Sequence, residues 1–212
     1  MTTIFFDLDG TLTDPKEGII KSIQFALGEM QVEAPEAEDL LWCIGPPLRD
    51  SFEQLLGGRN GVENAMSLYR KRFGDVGLYE NALYEEIPFL LSKLAKKNFE
   101  LHVATSKPHF YATKIIQHFG LDQYFGKIFG AEMDGTRSDK GTLLKYALSE
   151  TGCDPKRAFM VGDRKHDAIG AIKNDMTSIG VLYGYGSKDE LKNAGVHHFA
   201  ETPIKVFEAV VD

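Results

Sequence analysis

The sequence predicts an α/β fold: a doubly wound parallel sheet with a helical domain inserted after its first strand. Three observations carry the prediction. Short apolar runs alternate with helix-length segments over most of the chain, one stretch breaks that alternation with helical spacing alone, and 212 residues suffice for one core plus an insertion.

Strand-like runs fall at 4–6, 99–104, 127–130, 158–161 and 177–182, with a weaker one at 197–200. Between them, helical spacing shows in Ile87, Leu90, Leu91, Leu94 and Ala95, then in Ile115, Ile116 and Phe119 stopped by Gly120, then in Leu143, Leu144, Ala147 and Leu148 stopped by Gly152. Strands separated by helices require parallel crossovers. The exception begins at Pro15. Ile19, Ile20, Ile23 and Leu27, then Leu40, Leu41 and Ile44, then Phe52, Leu55 and Leu56, then Met66, Leu68, Tyr69 and Phe73 recur at helical intervals without a convincing strand. The expected organisation is therefore a core of residues 1–14 and 81–212 and a helical insertion of 15–80. The insertion leaves the chain at the carboxyl edge of the sheet, where open α/β folds bind ligands, and reads as a lid.

Composition narrows the function. Hydrophobic residues at 43% and charged residues at 26% are those of a globular protein, and 24 basic against 31 acidic residues leave a net charge of −7, which argues against a broad nucleic-acid-binding surface. Cys43 and Cys153 form neither a CxxC pair nor a zinc spacing and read as two buried thiols. The first residues lack the basic and apolar regions of a signal peptide, and no apolar run is long enough to span a bilayer, so a cytoplasmic protein without membrane or nucleic-acid partners is expected, a monomer or weak homodimer.

The chemistry begins at the end of the first strand, in Asp7-Leu8-Asp9-Gly10-Thr11-Leu12-Thr13-Asp14. Residues two apart on an extended chain share a face, so Asp7 and Asp9 project into one corner while Gly10 allows a sharp turn. A second acidic pair, Asp163 and Asp167, follows the run at 158–161. If the two strands are neighbours, four carboxylates converge. Unit charges about 4 Å apart repel by about 4 kcal/mol at an effective dielectric of about 20, so such a cluster takes up protons or holds a cation. All-oxygen ligands suit a hard divalent ion, Mg²⁺ before softer metals. Thr105, Ser106 and Lys107 follow the strand at 99–104 and offer hydroxyls and N–H groups where a helix begins near His109. Lys140 opens another helix, where a cation opposes the dipole, and so calls for a negative partner. His102, inside a strand pattern, reads as structural.

In order and spacing, Asp7-x-Asp9-Gly10-Thr11-Leu12-Thr13, the Thr105-Ser106 pair, Lys140 and Gly162-Asp163-x-x-x-Asp167 resemble the haloacid dehalogenase superfamily over nearly the whole chain. The insertion resembles that family's C1-type cap on a Rossmann-like core. Ile44-Gly45-Pro46-Pro47-Leu48-Arg49 and Gly184-Tyr185-Gly186-Ser187-Lys188-Asp189-Glu190-Leu191 are similar to its phosphoglycolate phosphatase and 5'-nucleotidase branch. The resemblance implies that Asp7 is the nucleophile of an aspartyl-phosphate mechanism, that Asp9 is general acid then base, and that Asp7, the carbonyl of Asp9, Asp163 and Asp167 hold Mg²⁺. It implies phosphoryl contacts from Thr105, Ser106 and Lys140. Gly141 stands where the family often has proline after the lysine. Arg49 in the insertion, and Lys107, are candidate substrate contacts.

A Mg²⁺-dependent phosphatase of a small phosphomonoester, similar to phosphoglycolate phosphatases, is therefore the expectation. A 5'-nucleotidase and a sugar-phosphate mutase are the alternatives on the same core. Asp9 and the full carboxylate set count against dehalogenation. No cue selects Lys16, Lys21 or Lys71 as the Schiff-base lysine that phosphonate cleavage requires, and intact Asp7 and Asp9 count against a non-catalytic phosphometabolite-binding module.

Overall fold

A computed structural model describes residues 2–211. The chain divides into two compact units, one running to Asp14 and resuming at Leu83, the other Pro15–Ala82.

In chain order the elements are β1 (Thr3–Phe6), β2 (Thr13–Asp14), α1 (Lys16–Glu29), α2 (Leu48–Leu55), α3 (Val62–Arg72), β3 (Ala82–Leu83), α4 (Ile87–Lys96), β4 (Glu100–Pro108), α5 (His109–His118), β5 (Lys127–Ala131), α6 (Lys140–Thr151), β6 (Ala158–Gly162), α7 (Lys165–Ile172), β7 (Thr177–Val181), α8 (Lys188–Asn193), β8 (His198–Ala200) and α9 (Pro203–Val211). β2 and β3 pair separately as a two-stranded ribbon.

The first unit is built on a six-stranded sheet in the order β5-β4-β1-β6-β7-β8. Its strands are parallel throughout. β1 lies between β4 and β6, so the winding reverses beside it and the carboxyl ends of β4, β1 and β6 open onto one crevice. β1 is apolar at each of Ile4, Phe5 and Phe6, all buried, as a strand covered on both faces must be. On one face Phe5, Ala104, Phe129 and Met160 pack against Leu143, Leu144 and Ala147 of α6. His102 is buried and structural: its Nδ1 accepts the Lys127 N–H at 3.0 Å.

Two local readings are corrected. Thr105 to Pro108 continue β4 instead of leaving it, through a register irregularity opposite Gly130, where a Cβ would press on the Lys107 carbonyl and the His109 backbone. Leu40 and Leu41 lie in a 3₁₀ segment, Ala37–Cys43, because Ile44 is extended and Gly45 left-handed ahead of Pro46 and Pro47.

In the second unit α1 packs on α3, and its Ile19, Ile20, Ile23 and Leu27 are buried. Tyr69 stacks on Phe73 at 5.2 Å between centroids and meets Phe52 edge-on. A helix this close to its neighbour needs Gly18, since a Cβ there would occupy the Gly77 carbonyl. Cys43 is buried, which pushes its thiol up to about 11, whereas Cys153 is half-buried, not buried as expected. No described helix is long and apolar enough to cross a membrane.

Candidate active site

The Asp7 N–H donates to the Val161 carbonyl at 2.9 Å, extending the β1–β6 pairing one residue and setting the Asp7 side chain at the crevice. The chain then turns back on itself, the N–H groups of Leu12 and Thr13 donating to the Leu8 carbonyl at 2.9 and 3.0 Å. Gly10, at φ +78°, lies so close to the Asp163 carboxylate that any Cβ would collide with it.

Asp163 leaves the end of β6, and Asp167 sits on the first turn of α7, where its Oδ2 accepts the Arg164 N–H at 3.1 Å. That four-residue spacing puts one carboxylate at a strand end and the other at a helix start, facing the same crevice. Ligand oxygens of Asp7, Asp163 and Asp167 lie within 4.8 Å of one another, and all three residues are buried. Lys140 supplies the negative partner's counterpart foreseen for it. Its Nζ is 3.0 Å from Asp7 Oδ1 and 2.7 Å from Asp167 Oδ1, and it donates to the Ala104 carbonyl within β4 at 2.9 Å. Asp139 caps α6 by accepting from the Thr142 N–H at 2.9 Å, which begins the helix at Lys140. Gly170 of α7 lets α6 approach, since a Cβ there would meet Lys140.

Two of the three carboxylates, Asp7 and Asp167, thus share one ammonium. Burial raises the Asp163 carboxyl well above its ordinary range, with Asp167 and Asp7 adding to the effect. Burial raises Asp167 too, Lys140 opposing it and Asp7 reinforcing it. Burial alone would lower Lys140, but Asp167 and Asp7 outweigh it and hold the ammonium above the ordinary lysine value.

Asp9 departs from the expected convergence of four carboxylates. Its side chain turns to Lys107, whose Nζ is 2.6 Å from Oδ2, so three carboxylates meet and the fourth forms a separate ion pair. Burial raises the Asp9 carboxyl, with Lys107 pulling against it and Asp7 adding to it. Thr105 is buried in β4 just before its register irregularity, its Oγ1 accepting the Lys107 N–H at 3.2 Å, while Ser106 beside it is half-buried. Arg49 belongs to the other unit, on α2, where it pairs with Glu63.

The segment from Gly184, noted in the sequence only as a mark of the family branch, grips Asp163. The Tyr185 N–H donates to Asp163 Oδ2 at 2.7 Å, and the Tyr185 hydroxyl donates to Asp14. Tyr183 donates its hydroxyl to the Thr11 carbonyl at 3.1 Å. A Cβ on Gly184 or Gly186 would collide with Asp163. The signal was the Gly-Tyr-Gly spacing itself, a mark of close backbone approach.

The donor set fits a hard cation. The oxygens are carboxylates, and Asp163 Oδ1 is buried without a hydrogen-bond partner while its other oxygen is committed to Tyr185.

A family model described as haloacid dehalogenase-like hydrolase matches residues 4–181. The chain belongs to that family. A 5'-nucleotidase from Pseudomonas aeruginosa is 45% identical over 197 residues, 92% of this chain and 89% of its own length. The tyrosine-protein kinase PtkA of Mycobacterium tuberculosis is 38% identical over 88% of this chain and 64% of the kinase. The crystal structure of a predicted phosphatase from Clostridium acetobutylicum matches with a TM-score of 0.95 at 39% identity, over 99% of this chain and 98% of that one. This haloacid dehalogenase-like hydrolase is a phosphatase.

Proposed function

We propose that the protein is a Mg²⁺-dependent phosphomonoesterase that forms an aspartyl phosphate on Asp7. One observation carries the reading: the Asp7 carboxylate stands in a buried group with Asp163 and Asp167 and is steadied by Lys140 3.0 Å away. An Asp7 oxygen attacks phosphorus while the bond to the ester oxygen breaks, and the departing alkoxide takes a proton from Asp9. Water then attacks the acyl phosphate, giving its proton to Asp9, and inorganic phosphate leaves. Burial favours the protonated Asp9 that the first step needs. Lys140 and the Thr105 hydroxyl orient the phosphoryl oxygens, with Ser106 beside them.

Asp7, Asp163, Asp167 and the Asp9 carbonyl would hold the Mg²⁺. Bound there, the ion would offset the carboxylate charge and stabilise charge developing on the phosphoryl oxygens. Without it, repulsion among the three carboxylates costs the site its geometry or loads it with protons.

The substrate is a small soluble phosphomonoester. Nucleoside 5'-monophosphates head the panel because of the name borne by the 45% identical relative, followed by phosphoglycolate and sugar phosphates. The unit Pro15–Ala82 acts as the selecting cap on this reading, with Arg49 a candidate contact whose replacement by alanine raises KM more than it lowers kcat. The test is kcat/KM across the panel with and without Mg²⁺. Turnover equal in excess chelator sinks the metal reading. Label moved to another hydroxyl of a sugar, instead of released as inorganic phosphate, shows a mutase.

A further inference from the structure

We infer that Glu190 is a positioning residue for the metal-binding carboxylates, the anchor of a clamp formed by Gly184, Tyr185, Gly186 and Glu190 around Asp163 to Asp167. The inference rests on the metal reading proposed above and adds a residue that touches neither the carboxylates nor any phosphate.

Glu190 lies in the first turn of α8, and its Oε1 accepts two hydrogen bonds from the opposite loop: Arg164 Nε at 2.9 Å and the Lys165 N–H at 2.9 Å. Both donors flank metal-binding positions. Arg164 follows Asp163 directly, and the Arg164 N–H is the group that holds Asp167 Oδ2 at 3.1 Å. One carboxylate therefore fixes side chain and backbone of the segment joining Asp163 to Asp167. The same clamp grips Asp163 elsewhere, through the Tyr185 N–H on Oδ2 at 2.7 Å and through Gly184 and Gly186, whose missing side chains let the backbone close on that residue. The Arg164 side chain is nearly buried, so its guanidinium is held against Glu190 out of bulk water, and the carboxyl of Glu190 is kept below its ordinary range by those same two donors against the effect of burial.

The consequence is geometric. The charge of Asp167 repels that of Asp163. The clamp holds their backbone in the ligating arrangement before an ion arrives, so part of the ordering cost is met by folding. Glu190 should then govern metal affinity more than chemistry.

The experiment compares wild type, Glu190→Ala, Glu190→Gln and Ser187→Ala as full-length chains. Mn²⁺ binding is followed by electron paramagnetic resonance, unfolding temperature is measured without metal, and the Mg²⁺ concentration for half-maximal turnover is taken from steady-state rates. Glu190→Ala should weaken Mn²⁺ binding about 10–100-fold and raise the half-activating Mg²⁺ concentration in step, with kcat at saturating Mg²⁺ lowered much less. Glu190→Gln keeps an acceptor oxygen and should fall between. Ser187→Ala removes the cap whose Oγ accepts the Glu190 N–H at 3.0 Å. It should lower the unfolding temperature while leaving Mn²⁺ affinity within about twofold, which separates loosening of α8 from loss of the Glu190 contacts. Equal Mn²⁺ affinity in wild type and both Glu190 variants overturns the inference alone. Failure of the wild type to bind Mn²⁺ at all overturns the metal reading and this inference with it.

Discussion

Two charge clusters, one in each unit, are built on opposite principles. In the unit Pro15–Ala82, Arg72 grips Glu80 with both ends of its guanidinium, at 2.8 and 3.0 Å, and gives a further bond to Ser22 Oγ at 3.1 Å. The Glu80 carboxyl is held below its ordinary range, first by the hydrogen bond from Arg72. Every charge there has its opposite, and the cluster joins α1 to the end of α3. In the core unit, three carboxylates meet and one lysine pairs with two of them, Asp7 and Asp167; the carboxyls of Asp163 and Asp167 are raised, and one oxygen of Asp163 has no hydrogen-bond partner. A balanced cluster serves the fold. An unbalanced one, kept in place by surrounding backbone, is strained without its ligand and marks where a ligand acts.

The sharpest way to break this contrast is at Asp7. Asp7→Asn removes the nucleophile while keeping its shape, and should lower kcat by a factor of about 1,000 or more, with phosphate-ester binding still measurable by calorimetry. Turnover within tenfold of wild type would remove Asp7 from the nucleophile's place.

Stability in the absence of metal then separates the two clusters by sign. Arg72→Ala removes both of its bonds to Glu80 and the one to Ser22, leaving Glu80 only Lys21 at 3.4 Å, and should cost about 1–3 kcal/mol in urea unfolding. Asp163→Asn relieves repulsion, so the metal-free protein should be at least as stable as wild type, while the rise in unfolding temperature on adding Mg²⁺ disappears. A loss of stability from Asp163→Asn matching that from Arg72→Ala would show the two clusters to be alike after all.

A smaller effect follows from pH. With their carboxyls raised by folding, Asp163 and Asp167 hold more protons in the folded than in the unfolded chain between the ordinary and the raised values, so their contribution to metal-free stability falls as pH rises through that window. Metal binding displaces those protons. The stabilisation by Mg²⁺ should therefore grow as pH rises from the ordinary carboxyl range through about 6, the value to which Asp167 is raised, read as the difference in unfolding temperature with and without Mg²⁺.

The smallest effect belongs to His102. Burial holds the imidazole below its ordinary value, so the unfolded chain binds more protons there and stability is lost as pH falls through the ordinary histidine range. His102→Gln should flatten that part of the pH–stability curve without altering the Mg²⁺ response.

Much of this was legible in the chain. Asp7, Asp163, Asp167 and Lys140 were recognisable because each stands where an apolar run ends or a helix begins, and strand ends in a doubly wound sheet share an edge. Lys140 also declared its need for a negative partner by opening a helix. Asp9 was misjudged as a fourth converging carboxylate, because alternation along a strand does not say where a side chain goes once Gly10 turns the chain and Lys107 competes for it. The Leu40 and Leu41 segment failed as a regular helix for a local reason, the Gly45-Pro46-Pro47 brake, that periodicity ignores.

What the sequence by itself determined is a set of residue types at fixed positions relative to strand and helix ends: which carboxylates exist, and on which elements. Only the tertiary structure decided their company. That β1 lies between β4 and β6, that Lys140 reaches both Asp7 and Asp167, and that Tyr185 and Glu190 hold the Asp163 loop are contacts between segments far apart in the chain. Side-chain periodicity reports only which face a residue occupies within its own element, whereas a carboxylate's protonation and its fitness for a metal depend on the burial and charges that other elements bring to it.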